Sequence, residues 1–256
     1  MRTAAGRVLA ASFAVASLII DCPWAQADPN ALWQIVDGQC VPDQQRHADP
    51  APCALVDPGY AVLKDLVGPT QFLLIPTARV AGIESPALLD PDSPNYFAAA
   101  WRARTFVEQR AGQPLPRDWV SLALNSAPGR TQDQFHIHID CVRAEVRNAL
   151  LWHDTEIGSR WTPFPEPLAG APYQAVAVDG DDLDADPIQL LADGVDGART
   201  DMGDRTLVVV GRYGADGRPG FVILAGHADP AIGDPGSGED LQDHDACPPS
   251  AGTWAK

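Results

Sequence analysis

Eight consecutive residues, Gln134 to Cys141, alternate in polarity and so leave little choice of backbone conformation. Phe135, Ile137, Ile139 and Cys141 share one parity; Gln134, His136, His138 and Asp140 share the other. A period of two belongs to a β-strand, whose successive side chains point to opposite faces. The spacing therefore predicts a strand over 135–142, with one apolar face on a core and one polar face bearing two imidazoles. Histidines at i and i+2 on a strand stand about 7 Å apart, near enough to act on one bound group. Three readings suit such a pair: nucleophilic and acid–base catalysis at phosphorus, metal ligation by His136, His138 and Asp140, or a structural pair satisfied on a sheet face.

The flanking pattern places this strand in a mixed fold. A short helix is expected over 30–36. Strands at 60–65 and 71–75, joined by the Gly68-Pro69 turn, form a hairpin that stops at Pro76. Between 94 and 110 the apolar residues Tyr96, Phe97, Ala100, Trp101, Ala103, Phe106 and Val107 recur at helical spacing, and Gly112 and Pro114 end the run. A strand at 119–124 and a polar loop at 125–134 lead to the histidine strand, and a helix follows to Trp152. Beyond a Pro-rich connector at 161–172, the aspartates from Asp179 lack EF-hand spacing, so they are expected to precede a helix with an acidic N-terminus. Segments 206–211 and 220–225 read as a second hairpin. The fold class is α+β, with residues 28–160 as the catalytic region and 161–256 as an extension packed on it, a candidate to complete a second, similar half.

The first residues carry Arg2 and Arg7, an apolar run covers Val8 to Ile20, and Ala25-Gln26-Ala27 offers a small-residue cleavage site. That is the pattern of a secretory signal over 1–27, since about thirteen apolar residues fall short of the roughly twenty of a spanning helix. Cys22 follows Asp21 rather than a small residue, which argues against lipidation. An exported, periplasmic protein at the outer face of the inner membrane is expected, with an uncleaved N-terminal anchor as the alternative. In that oxidising setting the remaining Cys40, Cys53, Cys141 and Cys247 are expected as disulfides. Cys40 and Cys53 close a short loop and are paired first, which leaves Cys141 for Cys247. The formal net charge of −16 disfavours any nucleic-acid polymer as partner. An anionic substrate would need a local arginine cluster to override that field.

Gln-φ-His-φ-His-φ at 134–139 resembles the histidine-triad motif, His-φ-His-φ-His-φ-φ, with Gln134 in the first triad place. Pro69 to Pro76 is similar to the strand that, in that superfamily, ends at a proline beside the nucleoside pocket. Asn125 and Gly129-Arg130-Thr131-Gln132 resemble its phosphate loop. Within the superfamily, the chain is most similar to the CDP-diacylglycerol pyrophosphatase family. The likeness is carried by Gly59 to Asp65, Gly82-Ile83-Glu84-Ser85-Pro86, Asn95-Tyr96-Phe97, Trp101-Arg102-Ala103-Arg104, Ser159-Arg160-Trp161 and Glu239 to His244, and spans roughly residues 36 to 247.

The resemblance implies hydrolysis of CDP-diacylglycerol at the surface of a membrane. His136 would attack the α-phosphorus to form a cytidylyl-histidine as phosphatidate leaves, and water would then release CMP. His138 would hydrogen-bond phosphoryl oxygens or the leaving group, and Gln134 would keep a hydrogen-bonding role without the proton shuttle of a first-place histidine. Asn125, Arg130, Thr131, Gln132 and Gln71 are the expected substrate and phosphate ligands, with Arg143 and Arg160 for the anionic head group. No cofactor or metal is called for. A register of His136-His138-Asp140, with His138 as nucleophile, would set Asp140 against the phosphate. His244 belongs to the resemblance without an assigned role, and Trp161 and Phe164 are open to either a lipid-facing or a core position. The alternatives are a metal-dependent phosphoesterase using His136, His138 and Asp140, and a periplasmic nucleotide- or lipid-binding protein without turnover.

Overall fold

A computed structural model describes residues 28–214 and 216–249; the secretory signal expected over 1–27 lies outside the described residues. In chain order the elements are helix α1 (Ala31–Ile35), a π-helical turn (Val36–Cys40), helix α2 (Val41–His47), strands β1 (Leu55–Asp57), β2 (Tyr60–Lys64) and β3 (Phe72–Pro76), helix α3 (Tyr96–Ala111), strands β4 (Val120–Leu124) and β5 (Ile137–Val142), helix α4 (Ala144–Trp152), strands β6 (Thr162–Pro163) and β7 (Gln174–Asp179), helix α5 (Pro187–Gly194), and strands β8 (Arg205–Tyr213), β9 (Pro219–His227) and β10 (Gln242–Asp243). The first helical stretch outruns the expected 30–36. Pro42 lacks an N–H and would break a regular ladder, and the π turn before it absorbs the mismatch. Strand β7 was not anticipated at all: its Ala-Val-Ala-Val run is short on bulk, yet it pairs with β9 along its whole length.

One antiparallel sheet runs in the order β1-β2-β3-β5-β4-β8-β9-β7-β6, with β10 pairing β5 off that path. The strands before residue 160 and those after it meet at the antiparallel β4–β8 pair and again where β10 pairs β5. The predicted parity of the histidine strand holds. Phe135, Ile137, Ile139 and Cys141 enter the main core beneath α3 and α5, with Phe97, Trp101, Leu122, Leu191 and Phe221. Helix α3 forms where its apolar stripe predicts. Its N-cap, Asn95, accepts from the N–H of Ala98 at 2.9 Å, and its Nδ2 ties the helix to the carbonyl of Leu183. The acidic N-terminus expected near 187 is also real: Asp186 caps α5 through the N–H of Ile188.

The opposite face of the sheet carries two separate apolar clusters. One packs α1 and the π turn on β2 and β3 through Leu32, Val36, Leu63, Leu73 and Ile75, and contains the Cys40–Cys53 disulfide. The other packs α4 on β4, β8 and β9 through Val146, Leu150, Val208, Val222 and Leu224. Between them lies a polar gap holding His136 and His138. Residues 235–247 cross back into this region, pinned by β10 and by the Cys141–Cys247 disulfide. Trp161 donates to the carbonyl of Leu190 and packs against the main core, and Phe164 is buried in the second cluster, so neither forms a lipid-facing surface.

Candidate active site

The polar gap opens into a cavity of about 610 Å³. Leu32, Ile35, Leu63 and Leu73 wall it on one side, and His136, His138, Asn125, Thr131, Gln132, Asp65 and Glu239 on the other. A second cavity of similar size, between α4 and the 166–169 loop, has carboxylates and Trp152 but no nucleophile.

His136 lies one residue before β5. Its Nδ1 is 2.7 Å from the carbonyl oxygen of Gln134, which can only accept; Nδ1 therefore carries the proton, and Nε2 is left with a free lone pair. Burial holds its imidazole below the ordinary range, against partial support from that carbonyl. His138 is held further down, by burial first and then by the neighbouring His136 and His244. The two rings meet edge to face, 4.9 Å between centroids. Nearest to His138 are two carboxylates on its Nδ1 side, Glu239 Oε2 at 3.2 Å and Asp65 Oδ2 at 3.9 Å. The result is a pair of neutral imidazoles, one of them fixed as the tautomer with its proton on Nδ1. Neutrality persists as pH falls until each lowered pKa is reached. The acid limb of kcat/KM is therefore expected below the ordinary imidazole value of about 6.5, which a pH–rate profile checks.

Several expected ligands are present but occupied elsewhere. The side-chain amide of Gln134 faces away from the cavity, donating to the carbonyls of Pro76 and Ala78 and accepting from the N–H of Val80. Its contribution to the site is its backbone carbonyl. Arg130 forms a two-pronged ion pair with Glu84 at 2.6 and 2.7 Å, so its guanidinium is committed to that carboxylate and acts on His136 only as a distant charge. The N–H of Gly129 is taken by Ser126 Oγ, and a Cβ at Gly129 would stand 2.8 Å from the Gly236 carbonyl oxygen; this part of the expected phosphate loop is thus covered by the C-terminal segment. Gln132 lines the cavity, yet its amide tethers the N-terminal segment through the N–H of Leu32 and the carbonyl of Asp28. Gln71 is fully buried behind the cavity, its Nε2 near Gln242 and His244. Thr131 is exposed at the cavity wall.

Among the described residues the expected arginine cluster does not form. Arg143 bonds the Gln242 carbonyl at the far end of β5, and exposed Arg160 precedes β6, five strand positions or about 24 Å from β5. Lys64 is the only cation lining the cavity among the described residues, and its ammonium donates to the carbonyls of Asp65 and Gly68. An anionic ligand must rely on neutral donors and this one charge. Asp140 does not converge with the histidines: Oδ1 accepts from Thr70 Oγ1 at 2.8 Å and Oδ2 lies 3.7 Å from His244 Nδ1, raising the His244 pKa. Among the described residues no group of three His, Cys, Asp or Glu side chains is arranged to hold a metal ion.

The C-terminal segment supplies what the strand pattern did not reveal. Gln242, fully buried, donates through Nε2 to the carbonyls of Ser121 and His138 and to Ser121 Oγ. Asn125 clamps Glu239 from both sides, its Nδ2 donating to Oε1 at 2.9 Å and its Oδ1 accepting from the Glu239 N–H at 3.2 Å. Gly238 permits this approach, since a Cβ there would lie 2.6 Å from Thr206 Oγ1. The signal was available in the cysteines: Cys141 sits three residues after His138, so pairing it with Cys247 brings the polar residues before 247 to the same strand.

The family model for CDP-diacylglycerol pyrophosphatase matches residues 27–249 of this chain. The chain belongs to the CDP-diacylglycerol pyrophosphatase family. It is 44% identical over 232 residues to the CDP-diacylglycerol pyrophosphatase of Yersinia pestis, covering 90% of this chain and 88% of that protein. The match takes in His136, β5 with His138, and the C-terminal segment, so the whole cavity lies inside the family's extent.

Proposed function

We propose that this protein hydrolyses the pyrophosphate bond of CDP-diacylglycerol to CMP and phosphatidate, through a cytidylyl group carried on His136 Nε2. Membership of the family supports the substrate. The observation that carries the mechanism is the bond from His136 Nδ1 to the Gln134 carbonyl, which leaves a neutral Nε2 lone pair facing a cavity. In the first step the Nε2–P bond forms as the P–O bond to phosphatidate breaks, and the leaving phosphate keeps the electron pair. In the second, water displaces the histidine and frees CMP. Breaking a P–O–P linkage calls mainly for a positioned nucleophile and donors to the phosphoryl oxygens.

A cavity of this volume holds one ligand of ordinary small-molecule size, which suits the cytidylyl group and leaves the diacylglycerol chains outside. At the rim Leu66 is fully exposed and Val67 half-exposed, and these would meet the chains at a membrane surface. Export to the periplasm follows from the N-terminal pattern and is part of this proposal. The test is quenching with alkaline denaturant during turnover of substrate labelled in the cytidylyl phosphate: a base-stable label on the protein, lost on later acid treatment, is expected. CMP release with no protein-bound label at any time would remove the covalent step.

A further inference from the structure

We propose that Glu239 is a positioning residue that makes His138 the general base for the second half-reaction, the attack of water on the cytidylyl-histidine. The inference rests on the covalent reading above and adds to it the fate of the water proton. Three observations carry it. Glu239 Oε2 stands 3.2 Å from His138 Nδ1, an electrostatic contact rather than an aligned hydrogen bond, and Asp65, the other carboxylate, lies on the same nitrogen at 3.9 Å. Carboxylates on the Nδ1 side favour the tautomer with the proton on Nδ1, which leaves Nε2 as the basic nitrogen. Glu239 is also held in place rather than free to swing: Asn125 bonds both its carboxylate and its backbone, and Gln242, three residues on, bonds the His138 carbonyl. Finally, Glu239, His136 and His138 all line one cavity and the two rings stand 4.9 Å apart between centroids, so a group carried on His136 lies beside His138.

The step balances as follows. The water oxygen forms a bond to phosphorus as the P–Nε2 bond of His136 breaks, and that electron pair returns to His136. The water proton goes to His138 Nε2, the resulting imidazolium is stabilised by the Glu239 carboxylate, and the proton then passes to solvent. The first half-reaction needs no such base, because the attacking imidazole is already neutral and the leaving phosphate needs no proton. Glu239 therefore acts on one step of two.

Rapid-quench kinetics separate the steps. In Glu239→Gln, a burst of one phosphatidate per enzyme is expected at close to the wild-type rate. CMP release should then be slowed by on the order of 10²–10⁴-fold, the range for loss of acid–base assistance, with labelled CMP accumulating on the protein. In Glu239→Ala, added formate should restore CMP release by occupying the vacated carboxylate position, a response that damaged packing would not give. Label trapped in the wild type but not accumulating in Glu239→Gln, or equal slowing of both steps, would overturn the role of Glu239 alone. Absence of label and burst in the wild type would overturn the covalent reading, and this proposal with it.

Discussion

His136→Ala is expected to lower turnover of CDP-diacylglycerol by roughly four orders of magnitude or more and to abolish protein-bound CMP, because on the proposed mechanism it deletes the attacking atom itself. His138→Ala should differ in kind. It removes a base for the second step but leaves the nucleophile, so the protein should still take up one equivalent of label and then release it slowly. The pair of variants decides the register of the motif. If His138 were the nucleophile, the label would vanish in His138→Ala and persist in His136→Ala. The structure favours His136 because its ring is locked by the Gln134 carbonyl, whereas neither nitrogen of His138 has a well-aligned hydrogen bond. Both imidazoles are buried, so truncation opens a cavity, and thermal unfolding of each variant separates lost chemistry from lost fold.

The alternation of Gln134 to Cys141 was enough to place the strand and its two faces, because a period of two admits one backbone and a one-residue slip would bury the histidines in the main core. Helix α3 was legible for the same reason at a period of 3.6. What periodicity cannot report is where a polar side chain spends its hydrogen bonds. Arg130, Gln134 and Gln132 stand at the expected places in the loop and strand, but Glu84, the 76–80 backbone and the N-terminal segment compete for them. A buried donor left unpaired costs more than a ligand contact made only part of the time, so local satisfaction prevails. Strand β7 was hidden by its alanines, which fit into the second cluster, Ala175 buried and Ala177 partly so, without adding much apolar signal. Glu239 and Gln242 were hidden by distance: they follow His138 by about a hundred residues, and only the Cys141–Cys247 link announces that they return.

That link carries the other large expectation. Replacing Cys141 and Cys247 together by alanine should destabilise the protein by about 3–5 kcal/mol, because the bond spans 106 residues and closing so long a loop restricts the unfolded chain strongly. For a domain of this size the loss corresponds to roughly 10 °C in Tm. Removing Cys40 and Cys53, separated by only 13 residues, should cost less. The two losses should also differ in what they do to activity. Cys40–Cys53 anchors the π turn on β2 and β3, beside the apolar wall of the cavity. Cys141–Cys247 anchors the segment that delivers Glu239 and Gln242 to His138, so its removal should slow CMP release at temperatures where far-UV circular dichroism still reports a folded protein. A displacement of about 1 Å in such a group is worth on the order of 10²-fold in rate. Reduction of the wild-type protein should reproduce both effects. If the double variant instead kept its CMP release rate while losing stability, the contacts of Gln242 with Ser121 and His138 and of Asn125 with Glu239 would suffice to hold the segment, and the disulfide would serve the fold alone.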